Sequence, residues 1–191
     1  SVENQFAWTE FYEAFARKLL EYRHNRTPLI TGLQTLAQTQ PLLTYLTNDE
    51  NPAKNRISLE DICPFTLMGG FNRGKVTPKN RATIAGQLGQ LIGVADEPPT
   101  SFDGIPIVNP QNSWFFSYEY RRKPDDIEKL WRVFDAAIRL VDDENSVTRK
   151  EFIEAYNSAI QVRGTSWNLS QGLYWILPWH YLTLDGQSRD Y

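Results

Sequence analysis

The chain has 191 residues, 41% of them hydrophobic and 23% charged, with a net charge of −3. That is enough sequence for one domain with a real core. The balance is too acidic for a protein that grips nucleic acid by bulk charge, where a pI above about 9 is usual. A single cysteine, Cys63, excludes an internal disulfide framework and a thiolate zinc site.

No apolar run approaches the ~20 residues of a membrane span, and the opening residues lack the basic-then-apolar order of a signal peptide. Both point to a cytoplasmic protein with no membrane contact.

Trp8, Tyr12, Phe15 and Leu19 share one face at helical spacing, and Thr9 is the expected N-cap. Thr27-Pro28 opens a second helix carrying Leu29, Leu33, Leu36 and Ala37. Thr47 to Arg56 is polar and reads as an exposed loop. Ser58-Leu-Glu-Asp61 resembles a capping box with Asp in the last place. Thr77-Pro78 starts a helix through Ala82, Ala85, Leu88, Leu91 and Ile92, closed by Gly93. Residues 95–110 are irregular, with Pro98-Pro99, Asp103-Gly104 and Pro106.

Ser113 to Tyr120 suits either a strand or an aromatic helical turn. Asp125 and Asp126 then open the strongest helix, striped with Ile127, Leu130, Trp131, Phe134, Ile138 and Val141. Thr148-Arg-Lys-Glu151 is a capping box before Phe152, Tyr156, Ala159 and Ile160, with Gly164 at the stop. These elements predict a mainly α, single helical domain over residues 1–191, with irregular connections and at most a minor β element.

Gly69-Gly-Phe-Asn-Arg-Gly74-Lys75-Val76 meets the phosphate-binding loop pattern except at its last position. There a Ser or Thr hydroxyl would hold magnesium, and Val76 has none. Ile138-Arg-Leu-Val-Asp142 resembles the acidic partner of such a loop, but its apolar residues have helical period. A stand-alone nucleotide hydrolase built on Lys75 and Asp142 is therefore the weakest reading.

Four cations fall within nine residues: Arg73, Lys75, Lys79 and Arg81. They are suited to phosphate, and Lys79 lies in a helical first turn whose free N–H groups also favour anions. Arg23-His24-Arg26 and Arg121-Arg122-Lys123 are further basic clusters, each expected to be a solvated face. His24 and His180 are the only histidines, and nothing places either beside a nucleophile. Trp114-Phe115-Phe116 and Trp175 to Trp179 are rich enough in rings to stack bases, although a core role is the expectation for most of them.

Three ordered stretches carry a resemblance. The first is Asp61-Ile-Cys-Pro-Phe-Thr-Leu-Met-Gly-Gly-Phe-Asn-Arg-Gly74 with Asn80-Arg81. The second is Phe102-Asp-Gly-Ile-Pro-Ile-Val-Asn-Pro-Gln-Asn-Ser-Trp-Phe-Phe116 with Asp126-Ile127, Leu130-Trp131 and Phe134. The third is Gly172-Leu-Tyr-Trp-Ile-Leu-Pro-Trp-His-Tyr-Leu-Thr-Leu-Asp185 with Arg189. Together they resemble the N-terminal region of bacterial McrB-like proteins, the motor subunits of modification-dependent restriction systems.

The resemblance implies a non-catalytic recognition module ahead of an AAA+ motor, which would follow Tyr191. GTP or ATP with magnesium, and oligomerisation, would belong to that motor, and a separate nuclease subunit would cut. The module's partner would be DNA, methylated DNA included. On this reading Arg73, Lys75, Lys79 and Arg81 contact phosphates, Asn80 reads a polar edge, and Trp114 stacks. The alternative is an assembly module that docks on the motor or on a partner subunit. Leu173, Trp175, Ile176 and Leu182 are expected to be buried as the last core element.

Overall fold

Apolar residues spaced three and four apart become buried helix faces. A computed structural model describes residues 7–165 and 167–178. Helix α1 (Thr9–Leu20) buries Phe11, Tyr12, Phe15, Ala16 and Leu19. Trp8 occupies its cap position but its side chain makes no capping bond, and Thr9 is the first helical residue rather than the cap. Helix α2 (Thr27–Ala37) begins with Pro28 in its first turn, as expected.

The polar stretch after Thr47 is not simply an exposed loop. Strands β1 (Asn48–Glu50) and β2 (Arg56–Ser58) form an antiparallel hairpin pairing Asn48 with Ser58 and Glu50 with Arg56. Its lack of apolar residues hid it. It is held by a buried carboxylate, Asp49, which is only 3% exposed.

The helix expected from Ser58 does not form either. Asp61 accepts from Arg26 and from the Ile62 amide, and helix α3 (Pro64–Met68) starts three residues beyond it. The α3 cap is Cys63, whose Sγ accepts from the Thr66 amide at 3.3 Å. All five residues of α3 are buried.

Helix α4 (Pro78–Ile92) keeps its expected limits. Thr77 Oγ1 accepts from the Asn80 amide at 3.2 Å, and Gly93 stops the helix with a left-handed φ of +89°. The longest helix among the described residues, α5 (Asp126–Asp142), buries ten residues, nine of them apolar. Helix α6 (Ser146–Ala159) begins a turn earlier than Thr148 suggested. Asn145 is the cap, and Thr148 is the third helical residue, returning a bond to the Asn145 amide at 2.9 Å. The reciprocal box is present, displaced by three residues. Helix α7 is Asn168–Ile176.

The domain is mainly α, with the two-stranded hairpin its only sheet among the described residues. Helix α5 is the centre. It packs most extensively on α6, and against α1, α3 and α7 on its other sides. Trp131 and Phe134 are fully buried there, and Trp131 Nε1 donates to the Ile62 carbonyl at 2.8 Å. Each such side chain contributes roughly 1.5–3 kcal/mol by leaving water.

A second aromatic layer joins Phe11, Tyr12 and Phe15 of α1 to Phe71, with ring centroids 5.0 to 6.1 Å from Phe71. Leu173 and Trp175 are buried as expected, whereas Ile176 is half-buried. Leu182, Trp179, His180, Asp185 and Arg189 lie outside the described residues.

Candidate nucleic-acid interface

The six residues singled out for nucleic-acid contact do not form one surface. Arg81 turns inward and is 7% exposed. Its Nε donates to the Phe71 carbonyl at 2.8 Å, another guanidinium nitrogen to Asn72 Oδ1 at 2.9 Å, and the group lies 4.3 Å from the Phe102 ring centroid. Tyr12 donates to the same Asn72 oxygen, and Asn72 Nδ2 donates to the Met68 carbonyl. Burial pushes the Tyr12 phenol above its ordinary value, against the pull of Arg81, and lowers Arg81. A guanidinium so committed is not offered to a phosphate, which corrects the expectation for Arg81.

This buried network also accounts for the near phosphate-binding loop. Gly69–Phe71 is a 3-10 turn continuing α3. The Asn72 amide donates to the Gly69 carbonyl, the Gly74 amide to the Val108 carbonyl, and the Asn72 carbonyl accepts from the Val108 amide. The amides at 72 and 74 are spent inside the fold rather than turned towards an anion. Asp142 lies on α5 and pairs with Arg17 at 2.6 Å. A helix, α3, rather than a strand leads into the glycine turn, so its resemblance to a nucleotide loop is one of letters.

Lys75, Lys79 and Asn80 are exposed. Lys75 holds a left-handed φ of +68°. The Arg23-His24-Arg26 cluster is largely neutralised, and in Arg121-Arg122-Lys123 only Arg122 is ion-paired among the described residues. Arg23 and Arg26 both pair with Glu128, Arg23 also with Asp135 and Arg26 with Asp61. Burial tends to raise Glu128, but the hydrogen bonds from these two arginines outweigh it and hold the carboxyl low. His24 beside them is exposed.

Arg73 and Trp114 do come together, on an open cleft of about 820 Å³. Arg73 lies 3.7 Å from the Tyr45 ring centroid and donates to the Pro110 carbonyl at 3.0 Å. Its Nε is buried without a partner. Burial pushes the Tyr45 phenol up to about 12 despite the pull of Arg73, so Tyr45 is neutral. Ser113 lies near that hydroxyl without meeting the geometry of a hydrogen bond.

Phe115 belongs to the core and is fully buried; Phe116 is 2% exposed but its ring reaches the cleft wall. Trp114 is half-buried on the same wall.

Sequence reasoning missed Tyr45, Tyr118, Tyr120 and Trp167, which line the cleft together with Arg121, expected only as part of a solvated basic face. One signal was available for the two tyrosines. Trp114, Phe116, Tyr118 and Tyr120 alternate with other residues, a period of two that turns the rings to one side. No regular strand forms there. The segment is a series of bends and turns pinned by Asp49, which accepts from the Glu119 amide and from Arg122, both at 2.9 Å. Arg122 in turn donates to the Ser117 carbonyl at 2.9 Å.

The pinned segment presents a row of rings. Trp114 meets Tyr118 edge-on at 5.1 Å, and Tyr118 stacks with Tyr120 at 6.2 Å and 26°. Tyr120 carries Arg121 at 5.1 Å and Lys54 at 5.8 Å from its ring centroid. Trp167, 88% exposed, lines the same cleft at the start of α7. So large an exposed indole is unusual in a folded domain. Among the described residues, no group of three or more His, Cys, Asp or Glu is arranged to hold a metal ion.

The fold and cleft define a mainly α domain with an aromatic, cation-edged surface groove. The chain belongs to the family described as a domain of unknown function, DUF8425, whose model matches residues 8–191. No curated protein and no solved structure matches it.

Proposed function

We propose that this domain is a non-catalytic nucleic-acid recognition module, the leading part of an McrB-like restriction motor acting on DNA in the cytoplasm. The observation that supports this reading is the cleft. The exposed rings of Tyr118 and Trp167 and the half-buried rings of Trp114 and Tyr120 stand beside Arg73 and Arg121. Aromatic faces stack on bases, and guanidinium groups answer phosphate and base edges. The net charge of −3 argues against grip by bulk charge, so binding would rest on these local cations and rings. Lys75, Lys79 and Asn80 are left as an outlying phosphate-contacting rim. Nucleotide, nuclease subunit and oligomer contacts belong to the motor expected after Tyr191.

The test is fluorescence anisotropy of the whole chain against plain and methylated DNA, duplex and single-stranded, over a salt series. Arg121→Glu is expected to weaken binding across sequences and to lower the salt slope by about 1. Absence of binding to every DNA at about 50 mM salt would refute the reading.

A second reading, an assembly module, is favoured by the outer side of α6. Val147, Ile153 and Ile160 are exposed there at 60%, 45% and 39%. It predicts a specific complex with the motor or a partner subunit, weakened by Ile153→Glu, and no DNA affinity. In either reading the chain itself performs no chemistry.

A further inference from the structure

We infer that the cleft takes unpaired nucleic acid, a short single strand whose bases stack on the row Trp114, Tyr118 and Tyr120 and on Trp167. The inference rests on the recognition reading above and specifies the state of the strand. In a duplex the base faces are covered by their neighbours and only edges are offered in the grooves. A ring can stack on a base only after that base has left the helix. Here several rings are available, and their spacing matters. The centroids are 5.1 Å and 6.2 Å apart along the row. Successive bases along one strand of B-DNA rise only about 3.4 Å. The ring separations are those of rings touching one another, so a base can meet only the outward face of a ring and must leave its neighbours to do so.

The shape of the cleft agrees. At about 820 Å³ it is open and fed by residues from Tyr45 to Gln171. That is near the upper end of the roughly 300–1,000 Å³ range of small-ligand sites, more room than one flipped base fills. Charge decides in the same direction. A duplex carries one phosphate charge per about 1.7 Å of axis and needs a broad basic face.

This chain has tied much of its basic charge to carboxylates, Arg17, Arg23, Arg26, Arg122 and Arg139 among them. Beside the rings stand only Arg73, Arg121 and Lys54, none of them ion-paired among the described residues. Two or three phosphates on one strand are what these cations can answer. The expected salt slope is correspondingly shallow, about −1.5 to −2.

The experiment uses the whole chain and three labelled probes of about 12 nucleotides: oligothymidylate, oligouridylate and a DNA duplex. At least one single strand is expected to bind ten or more times more tightly than the duplex, quenching tryptophan fluorescence as bases cover Trp167 and Trp114. The two single-strand arms separate a DNA source from an RNA source, because RNA alone carries the 2′-hydroxyl. Trp114→Ala and Tyr118→Leu, each checked for intact helical circular dichroism, are expected to lose about 5- to 100-fold in single-strand affinity. Should Trp114→Ala not fold, Tyr118→Leu and the quenching still test the stacking.

Duplex binding as tight as single-strand binding overturns the inference while leaving DNA recognition standing. So does single-strand binding indifferent to Tyr118→Leu and without quenching. Binding of none of the three probes at about 50 mM salt removes the inference, and failure of the methylated DNAs as well removes the recognition reading.

Discussion

Asp49→Ala probes the contact on which the cleft wall depends. The Asp49 side chain is 2% exposed and its ion-pair partner Arg122 is 14% exposed, at 2.9 Å. Two charge-assisted bonds from outside the strand end on this carboxylate, from the Glu119 amide and from Arg122. Bonds to charged groups are worth about 1.5–3 kcal/mol each. Removing one partner of a buried pair costs about 3–5 kcal/mol, because the other charge stays buried. The lower part of that range is expected here, since Arg122 keeps the Ser117 carbonyl and the face of Phe116 at 5.3 Å. At about 2–4 °C per kcal/mol for a chain of this size, the melting temperature should fall by roughly 6–16 °C.

The assay is urea unfolding followed by far-UV circular dichroism, as a double-mutant cycle with Arg122→Met. Arg122→Met removes the buried cation, so the double variant should be more stable than the sum of the single losses predicts, by about 0.5–3 kcal/mol. Additivity within about 0.3 kcal/mol, or an Asp49→Ala cost below about 1 kcal/mol, would refute the claim that this pair pins the aromatic segment.

Two further outcomes follow from the packing and the charges. Gly172→Ala on α7 would place a Cβ 2.5 Å from the Phe65 ring and 3.1 Å from the Phe115 ring, both fully buried. Overpacking of about 1–3 kcal/mol should outweigh the ~1 kcal/mol that alanine gains in a helix, so the urea midpoint should fall; a rise would mean that α7 does not approach so closely. For pH, the hydrogen bond from Arg17 holds the Asp142 carboxyl below its usual range. A depressed carboxyl stabilises the fold above its unfolded pKa and loses that contribution as pH falls through its folded one. Wild type should therefore lose more stability between pH 5 and pH 3 than Arg17→Ala, by a small margin because both side chains are largely exposed. Equal losses would show that the pair does not couple to folding.

The helices were readable where burial has a period. The stripe of α5 and the Thr77 and Gly93 limits of α4 needed only spacing and caps, which act over a few residues. Errors arose where a polar side chain had two available partners. Asn145 competes with Thr148 for the same cap, and the choice turns on which amide lies in reach. Asp61 was read as the end of a box but serves Arg26, which is 35 residues away in sequence. Asp49, in a polar stretch, is buried with its carboxylate bonded to Arg122, 73 residues distant.

The candidate site was legible in part. Arg73 and Trp114 belong to it, and the alternation from Trp114 to Tyr120 held a signal for two more rings. Tyr45 and Trp167 could not be found, because only the fold brings residues so distant in sequence to one cleft. Arg81 shows the opposite limit. Beside Arg73 and Lys75 in the sequence it looked like another phosphate contact, but a helix turns its residues through about 100° each, and that rotation points Arg81 into the network of Tyr12 and Asn72. By itself the sequence determined a mainly α domain, its principal helices and a supply of rings and cations. Which rings face water, and which cations remain unpaired beside them, was decided by tertiary contacts alone. Exposure and pairing depend on neighbours in space, and local spacing carries no record of them.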